Sequence, residues 1–362
     1  MAPRLRILVV DDSAVMRRII SEALATDAAF EVVGVASNGE IALQRITQLS
    51  PHAVTLDVEM PVLDGLATIR RIRATHATLP VIMCSALTHS GAEATLDALA
   101  AGASDWLAKP AQSVSLDDSI AKIAAELLPK LRALCKVRMA STPPLAGNAS
   151  PARQTSAAAH GARAKVAPDV LCIATSTGGP NALADLFSGL TAVLPVPVVI
   201  VQHMPPLFTR SLAERLGRGS VHHFHEAEAG QVIEAGSVYI APGGHHMEVE
   251  RVGVQVRARI HDGPAEQSCR PAADVLFRSV AEVYGRGALA CVLTGMGQDG
   301  LRGCEQIRAK GGEILAQDEA SSVVWGMPGA VVHAGLAQAV RPLSEMANEI
   351  RARVTGLVAR AG

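Results

Sequence analysis

Two separate groups of side chains in this sequence have the types and placement that chemistry needs. The first is acidic. Asp11 and Asp12 directly follow the apolar run Ile7-Leu8-Val9-Val10, and Asp57 ends the run Ala53-Val54-Thr55-Leu56. Three carboxylates brought together repel one another unless a hard divalent cation joins them. Mg²⁺ suits such a place, taking one or two carboxylates, a backbone carbonyl (here assigned to Glu59) and several waters. Ser85 and Lys109 end two further apolar runs and add a hydroxyl and an ammonium. The set fits phosphoryl transfer onto Asp57, with the cation and Lys109 holding the transferring oxygens while the carboxylate attacks. The second group is Ser176, His203 and Asp299, each just beyond an apolar run. A hydroxyl is a weak nucleophile until an imidazole takes its proton and a carboxylate fixes the imidazole tautomer. Ser176 lies in Thr175-Ser176-Thr177-Gly178-Gly179-Pro180, where the glycines permit a tight turn and Pro180 suits the start of a helix. Backbone N–H groups at such a corner favour an oxyanion. Singly, each residue has a plainer reading: an N-cap serine, a core histidine, a turn aspartate. Together at strand ends they read as a Ser-His-Asp triad.

The elements that must position these residues follow from the apolar pattern. From Arg6 to about Leu134, strands are expected near 7–10, 32–36, 53–56, 81–84 and 106–108. Helices are expected over 13–25, 39–49, from Asp64, over 93–101 and over 116–134. Five strand–helix units in series predict a parallel sheet covered on both faces. In such a sheet ligands gather beyond the carboxyl ends of the strands. A second strand–helix series begins at Val170. The fold class is therefore α/β throughout: a flavodoxin-like (βα)5 domain over 1–135 and a doubly wound, mostly parallel α/β hydrolytic domain over 168–362. Between them, 136–167 is rich in Pro, Ala, Ser and Arg without apolar period and reads as a flexible linker.

Composition narrows the possibilities. With 49% hydrophobic but only 2% aromatic residues, the cores must be built from Ala, Val, Leu and Ile. Lys+Arg number 33 against 34 Asp+Glu, with no basic stripe, so neither nucleic acid nor membrane insertion is expected. The six cysteines never form C-x-x-C, and most sit in apolar or helical runs, which suits buried thiols in a reducing compartment. Without a leader-like start, the expected location is cytoplasmic.

The stretches Val9-Val10-Asp11-Asp12-Ser13, Leu56-Asp57-Val58-Glu59-Met60-Pro61-Val62-Leu63-Asp64-Gly65 and Gly102-Ala103-Ser104-Asp105-Trp106-Leu107-Ala108-Lys109-Pro110 make the first domain resemble the response-regulator receiver family. The resemblance implies phosphorylation of Asp57, with a sensor histidine kinase of the chemotaxis type as donor. Trp106 stands where the family's switch aromatic is usually Phe or Tyr. Nearly the whole chain resembles the chemotaxis protein-glutamate methylesterase/glutamine deamidase family. The matching segments are Ser176-Thr177-Gly178-Gly179-Pro180, Gln202-His203-Met204, Val238 to Gly243, Leu293 to Gly300 and Gln317 to Pro328. This implies Ser176, His203 and Asp299 as the triad, an oxyanion hole using the Met296 N–H with help from Thr177, and methyl-accepting chemoreceptors as substrate. No cofactor is implied for the esterase reaction. Ala174 departs from the family's usual Gly.

Two other readings compete. Gly295-Met296-Gly297-Gln298-Asp299-Gly300 satisfies G-x-G-x-x-G, with Asp318 about 20 residues on, so an NAD-binding domain under receiver control is the alternative. Against it, Asp299 would set a carboxylate beside the pyrophosphate. A non-catalytic receptor-binding module is the other, and it leaves the triad unexplained. His222, His223, His225, His245 and His246 lack the spacing of a tetrahedral metal set. The receiver is expected to cover the active-site face.

Overall fold

The structure, a computed structural model, describes residues 4–110, 115–140 and 167–356. The first unit runs β1 (Leu5–Val10), α1 (Ala14–Ala25), β2 (Phe30–Ala36), α2 (Gly39–Leu49), β3 (Ala53–Asp57), α3 (Gly65–Thr75), β4 (Val81–Ser85), α4 (His89–Ala100), β5 (Asp105–Ala108) and α5 (Leu116–Ala140). Its sheet has the order β2-β1-β3-β4-β5, parallel throughout. That order places the ends of β1 and β3 where the direction of winding reverses. The strands are apolar because both faces are covered; Ile7 to Val10 are wholly buried. Side-chain caps start the helices. Ser13, Asn38, Asp64 and Thr88 accept the N–H groups of Met16, Ile41, Ala67 and Gly91. The Thr88 cap explains why α4 begins at His89, a turn before the expected Glu93.

A second difference lies at the end of α5. Residues 136–140 continue the helix, so the expected domain boundary at 135 falls inside it. Lys, Arg, Met and Ala are good helix formers, and composition alone does not separate them from a linker. Of the expected linker, 141–166 lies outside the described residues.

The second unit continues with β6 (Val170–Thr175), α6 (Gly179–Gly189), β7 (Val198–Gln202), α7 (Phe208–Gly217), β8 (His223–Glu226), β9 (Ser237–Ile240), β10 (His246–Val252), β11 (Gln255–His261), α8 (Ala273–Tyr284), β12 (Ala288–Val292), α9 (Leu301–Ala309), β13 (Glu313–Gln317), α10 (Met327–His333), β14 (Ala339–Arg341) and α11 (Leu343–Val354). The order is β14-β13-β12-β6-β7-β9-β8, and every pairing in it is parallel. Among the described strands, antiparallel pairing joins β10 to β11, a hairpin tied to α8 where the Val249 N–H donates to Ser279 Oγ. The chain winds outward from β6 on one side, then returns to β12 on the other. The switch therefore falls between β6 and β12.

The two units pack against each other. Trp106 of β5 stacks on Phe208 of α7 with ring centroids 4.9 Å apart. Asn181 on α6 donates to the Leu99 carbonyl at 2.8 Å, and Arg215 on α7 pairs with Asp97 on α4. Val324 and Met296 join the apolar cluster that includes Leu127 and Leu131 of α5.

Candidate active site

The acid cluster sits at the ends of β1 and β3, with Asp11 and Asp57 buried and Asp12 exposed. The Lys109 ammonium lies 2.9 Å from Asp11 Oδ2 and 2.7 Å from Asp57 Oδ1. A cleft of about 210 Å³ opens here, lined by Asp12, Asp57, Val58, Glu59, Ser85, Ala86 and Lys109. Ser85 reaches the cleft, but its hydroxyl donates to the Gly91 carbonyl at 3.0 Å. Trp106 is buried at the domain contact and does not line this cleft. Burial pushes the Asp57 carboxyl up to about 6, with Lys109 pulling against it and the charge of Asp11 adding to it. A group so strained in its charge state wants a cation. Ligand atoms of Asp11, Asp12 and Asp57 lie within 4.8 Å of one another. Asp57 Oδ2 is buried without a hydrogen-bond partner. An all-oxygen donor set of this charge fits Mg²⁺.

The second site straddles β12, β6 and β7. Ser176 follows β6 at the turn into α6. Its N–H donates to the Thr294 carbonyl at 3.0 Å, and its carbonyl accepts the Gly179 N–H at 2.8 Å. The N-cap is Gly178, in the left-handed region at φ 77°, so Ser176 is not a capping serine. Gln202 Nε2 donates to the carbonyls of both Ser176 (3.0 Å) and His203 (3.2 Å), fastening the two corners together.

Asp299 is the best-held group in the site. Its carboxylate accepts the N–H of Ala273 at 2.6 Å and those of Asp274 and Gly300 at 2.9 Å each. It thus closes the N-terminus of α8, where Ala272 offers no side-chain cap. His203 Nε2 sits 2.7 Å from Asp299 Oδ2. Burial alone would lower the His203 pKa and raise that of Asp299. Against burial, Asp299 and Cys269 together hold the imidazole above its ordinary value, and His203 with the Ala273 and Asp274 N–H groups holds the carboxyl below.

The third contact is different. His203 Nδ1 faces Cys269 Sγ at 3.6 Å, while the Ser176 hydroxyl makes no hydrogen bond among the described residues. The structure brings His203 and Asp299 together and sets Ser176 on the adjacent strand end, without a Ser176–His203 bond. The Met296 N–H is likewise without a partner among the described residues. The Thr177 hydroxyl is committed elsewhere, donating at 2.8 Å to Asp105 Oδ2 of β5. Sequence reasoning missed Cys269, the α8 N-terminus and the Gln202 bridge. A signal existed for the helix start in Pro271-Ala272-Ala273-Asp274, but none for Cys269.

The G-x-G-x-x-G loop does not behave as a phosphate cradle. Asp299 turns back onto α8, and Asp318 Oδ1 is taken by the N–H and hydroxyl of Ser321. Among the described residues the histidines form no metal-holding group: His222 Nε2 accepts the Leu194 N–H, and His225 stacks on Tyr239.

Comparison with known proteins bears on the same residues. Residues 171–350 match the CheB methylesterase family, and residues 7–121 match the response regulator receiver domain. A protein-glutamate methylesterase/protein-glutamine glutaminase of Trichodesmium erythraeum is 49% identical over 97% of this chain and 99% of its own. One from Nocardioides is 47% identical, over 97% and 96%. The chain belongs to the protein-glutamate methylesterase/protein-glutamine glutaminase family. The catalytic domain of the Thermotoga maritima CheB methylesterase superposes with a TM-score of 0.50 at 37% identity, over 51% of this chain and 98% of that one. Within this methylesterase family frame the dinucleotide alternative finds no support. No helix among the described residues is long and apolar enough to cross a membrane.

Proposed function

We propose that this chain is a cytoplasmic enzyme that hydrolyses γ-methyl glutamate esters on methyl-accepting chemoreceptors and deamidates glutamines there, under control of phosphorylation at Asp57. The observation that carries the reading is the His203–Asp299 contact, with three backbone N–H groups fixing the carboxylate beside Ser176 at the switch in strand order. In the reaction His203 takes the Ser176 proton at Nδ1, since Nε2 is engaged by Asp299. Ser176 Oγ attacks the side-chain carbonyl, and the Met296 N–H, with Thr177 beside it once released from Asp105, receives the oxyanion. His203 then protonates the departing methanol, or ammonia from a glutamine, and water releases glutamate by the same steps in reverse.

Control begins at the acid cluster. Asp11, Asp12, Asp57 and the Glu59 carbonyl would hold Mg²⁺, which would supply positive charge to the phosphoryl oxygens. Lys109 bonds the same oxygens and Asp57 attacks, with the phosphohistidine of a chemotaxis-type sensor kinase as donor. Phosphorylation shifts the population away from the arrangement in which β5 holds Thr177.

Methanol release from methylated receptor membranes, with and without acetyl phosphate, tests the proposal. The parent should release methanol, faster with the phosphodonor, and Ser176→Ala should lower the rate by a factor on the order of 10⁶. A Ser176→Ala chain as active as its parent would end the assignment.

A further inference from the structure

Both ring nitrogens of His203 are occupied, one by Asp299 and the other by the sulfur of Cys269, so the nitrogen that must serve Ser176 is already engaged. We propose that Cys269 is a positioning residue for the esterase, its sulfur accepting the Nδ1–H of His203 and holding the ring as a resting imidazolium until that proton passes to solvent and Ser176 takes the place of the sulfur. The inference rests on the esterase reading above and specifies what the base must leave in order to work.

The hydrogen-bond directions support it. The Gln267 carbonyl lies 3.4 Å from the Cys269 sulfur, and with the S–H donated there the sulfur presents its lone pairs to Nδ1. A proton on Nδ1, with another on Nε2 facing Asp299, is the imidazolium. The cysteine is not there by accident of a loose loop. Glu266 and Cys269 close a tight turn with paired backbone bonds, Glu266 N–H to the Cys269 carbonyl at 3.1 Å and the reverse at 2.8 Å. Its two central residues, Gln267 (φ 51°) and Ser268 (φ 62°), both occupy the left-handed region, an unfavourable place for side-chain-bearing residues. Arg278 on α8 anchors the turn through Glu266. Cys269 is half-buried, and the other five cysteines are buried.

The groups that set the charge of His203 are few. Burial opposes the imidazolium; Asp299 and Cys269 both favour it. Arg270, next to the cysteine, turns its guanidinium to the carbonyls of Asp262 and Gly263. Asp274, beneath Asp299, accepts the Gly303 N–H. Removing the sulfur therefore removes one of two favourable contacts.

The test uses the full chain labelled with ¹⁵N-histidine, with the His203 ring signals identified by their loss in His203→Gln. In Cys269→Ala the ring should titrate about one pH unit lower, the scale of one hydrogen bond to a charged form. Cys269→Ser, which keeps an acceptor, should return toward the parent. The acidic limb of kcat/KM for methanol release should move with the ring, raising the rate of Cys269→Ala below neutrality up to about tenfold, one pH unit of base. A His203 titration curve in Cys269→Ala that overlies the parent's overturns the inference, as does an acidic limb that stays in place. A parent that releases no methanol overturns the esterase reading instead, and the ring titration still decides the thiol contact.

Discussion

Asp299 shows how much a single carboxylate can be asked to do. It orients His203 and also closes the N-terminus of α8 through two N–H groups. Asp299→Asn should therefore lose activity by a factor on the order of 10⁴, because an amide cannot fix the same tautomer. It should also lose about 1–3 kcal/mol of stability, because an NH2 cannot accept from the helix. The pH dependence follows from the two shifts. Asp299 is held below its ordinary value, so its contribution is present above about pH 4 and disappears as pH falls through its folded pKa. His203 is held above its ordinary value, so its contribution is complete below about pH 6.5 and is lost as pH rises through its folded pKa. Melting curves of the parent and Asp299→Asn from acid to alkaline pH should differ most between those limits and converge toward acid. The positions of Ser176, His203 and Asp299 beyond strand ends were legible because each follows an apolar run of strand length, Asp299 after the loop that leaves β12. Cys269 was not, because it reaches the imidazole across 66 positions from a turn with no periodic pattern.

At the scale of the element, the strand ends matter less than the contacts that lock them. A Cβ at Gly179 would fall 1.9 Å from Gln202 Oε1 and 2.4 Å from Thr175 Oγ1. Gln202 is the side chain that ties Ser176 to His203, so it cannot move aside without loosening both. Gly179→Ala should cost about 1–3 kcal/mol in urea unfolding and cut methanol release more than that loss of folded protein explains. The strand–helix alternation was plain in the sequence, since period and length distinguish these elements. Two helix ends were not: the cap at Thr88 and the continuation of α5 to Ala140 depend on local backbone bonds rather than on apolar spacing. The doubly wound character of the second sheet was legible, but its detailed order, with β9 set between β7 and β8, was not, because it is decided by pairings between strands rather than by apolar spacing.

For the whole molecule, the proposed control would act where α4 and β5 meet α6 and α7. Asn181 touches no reacting group, and its bond to the Leu99 carbonyl crosses that contact. A hydrogen bond of this kind contributes about 1 kcal/mol net, so Asn181→Ala should raise methanol release without phosphodonor about fivefold. With acetyl phosphate the variant and the parent should come together. An unchanged basal rate would mean that these helices do not govern access. The faces that meet here carry Asn, Arg and Asp beside Leu and Trp, a mixture that reads from sequence as ordinary solvated surface.

One strand joins the two chemistries. Asp105, which grips the neighbour of Ser176, begins a four-residue strand that ends next to Lys109, which grips Asp57. In the proposed control, phosphorylation that moves Lys109 would loosen Thr177 through this one segment, and thermodynamic reciprocity would make the effect mutual. Under the proposed function, a receptor helix that draws Thr177 off Asp105 would, by the same amount of free energy, make the acid cluster a tighter host for a phosphate mimic. The substrate would then be an effector of its own enzyme's signal reception.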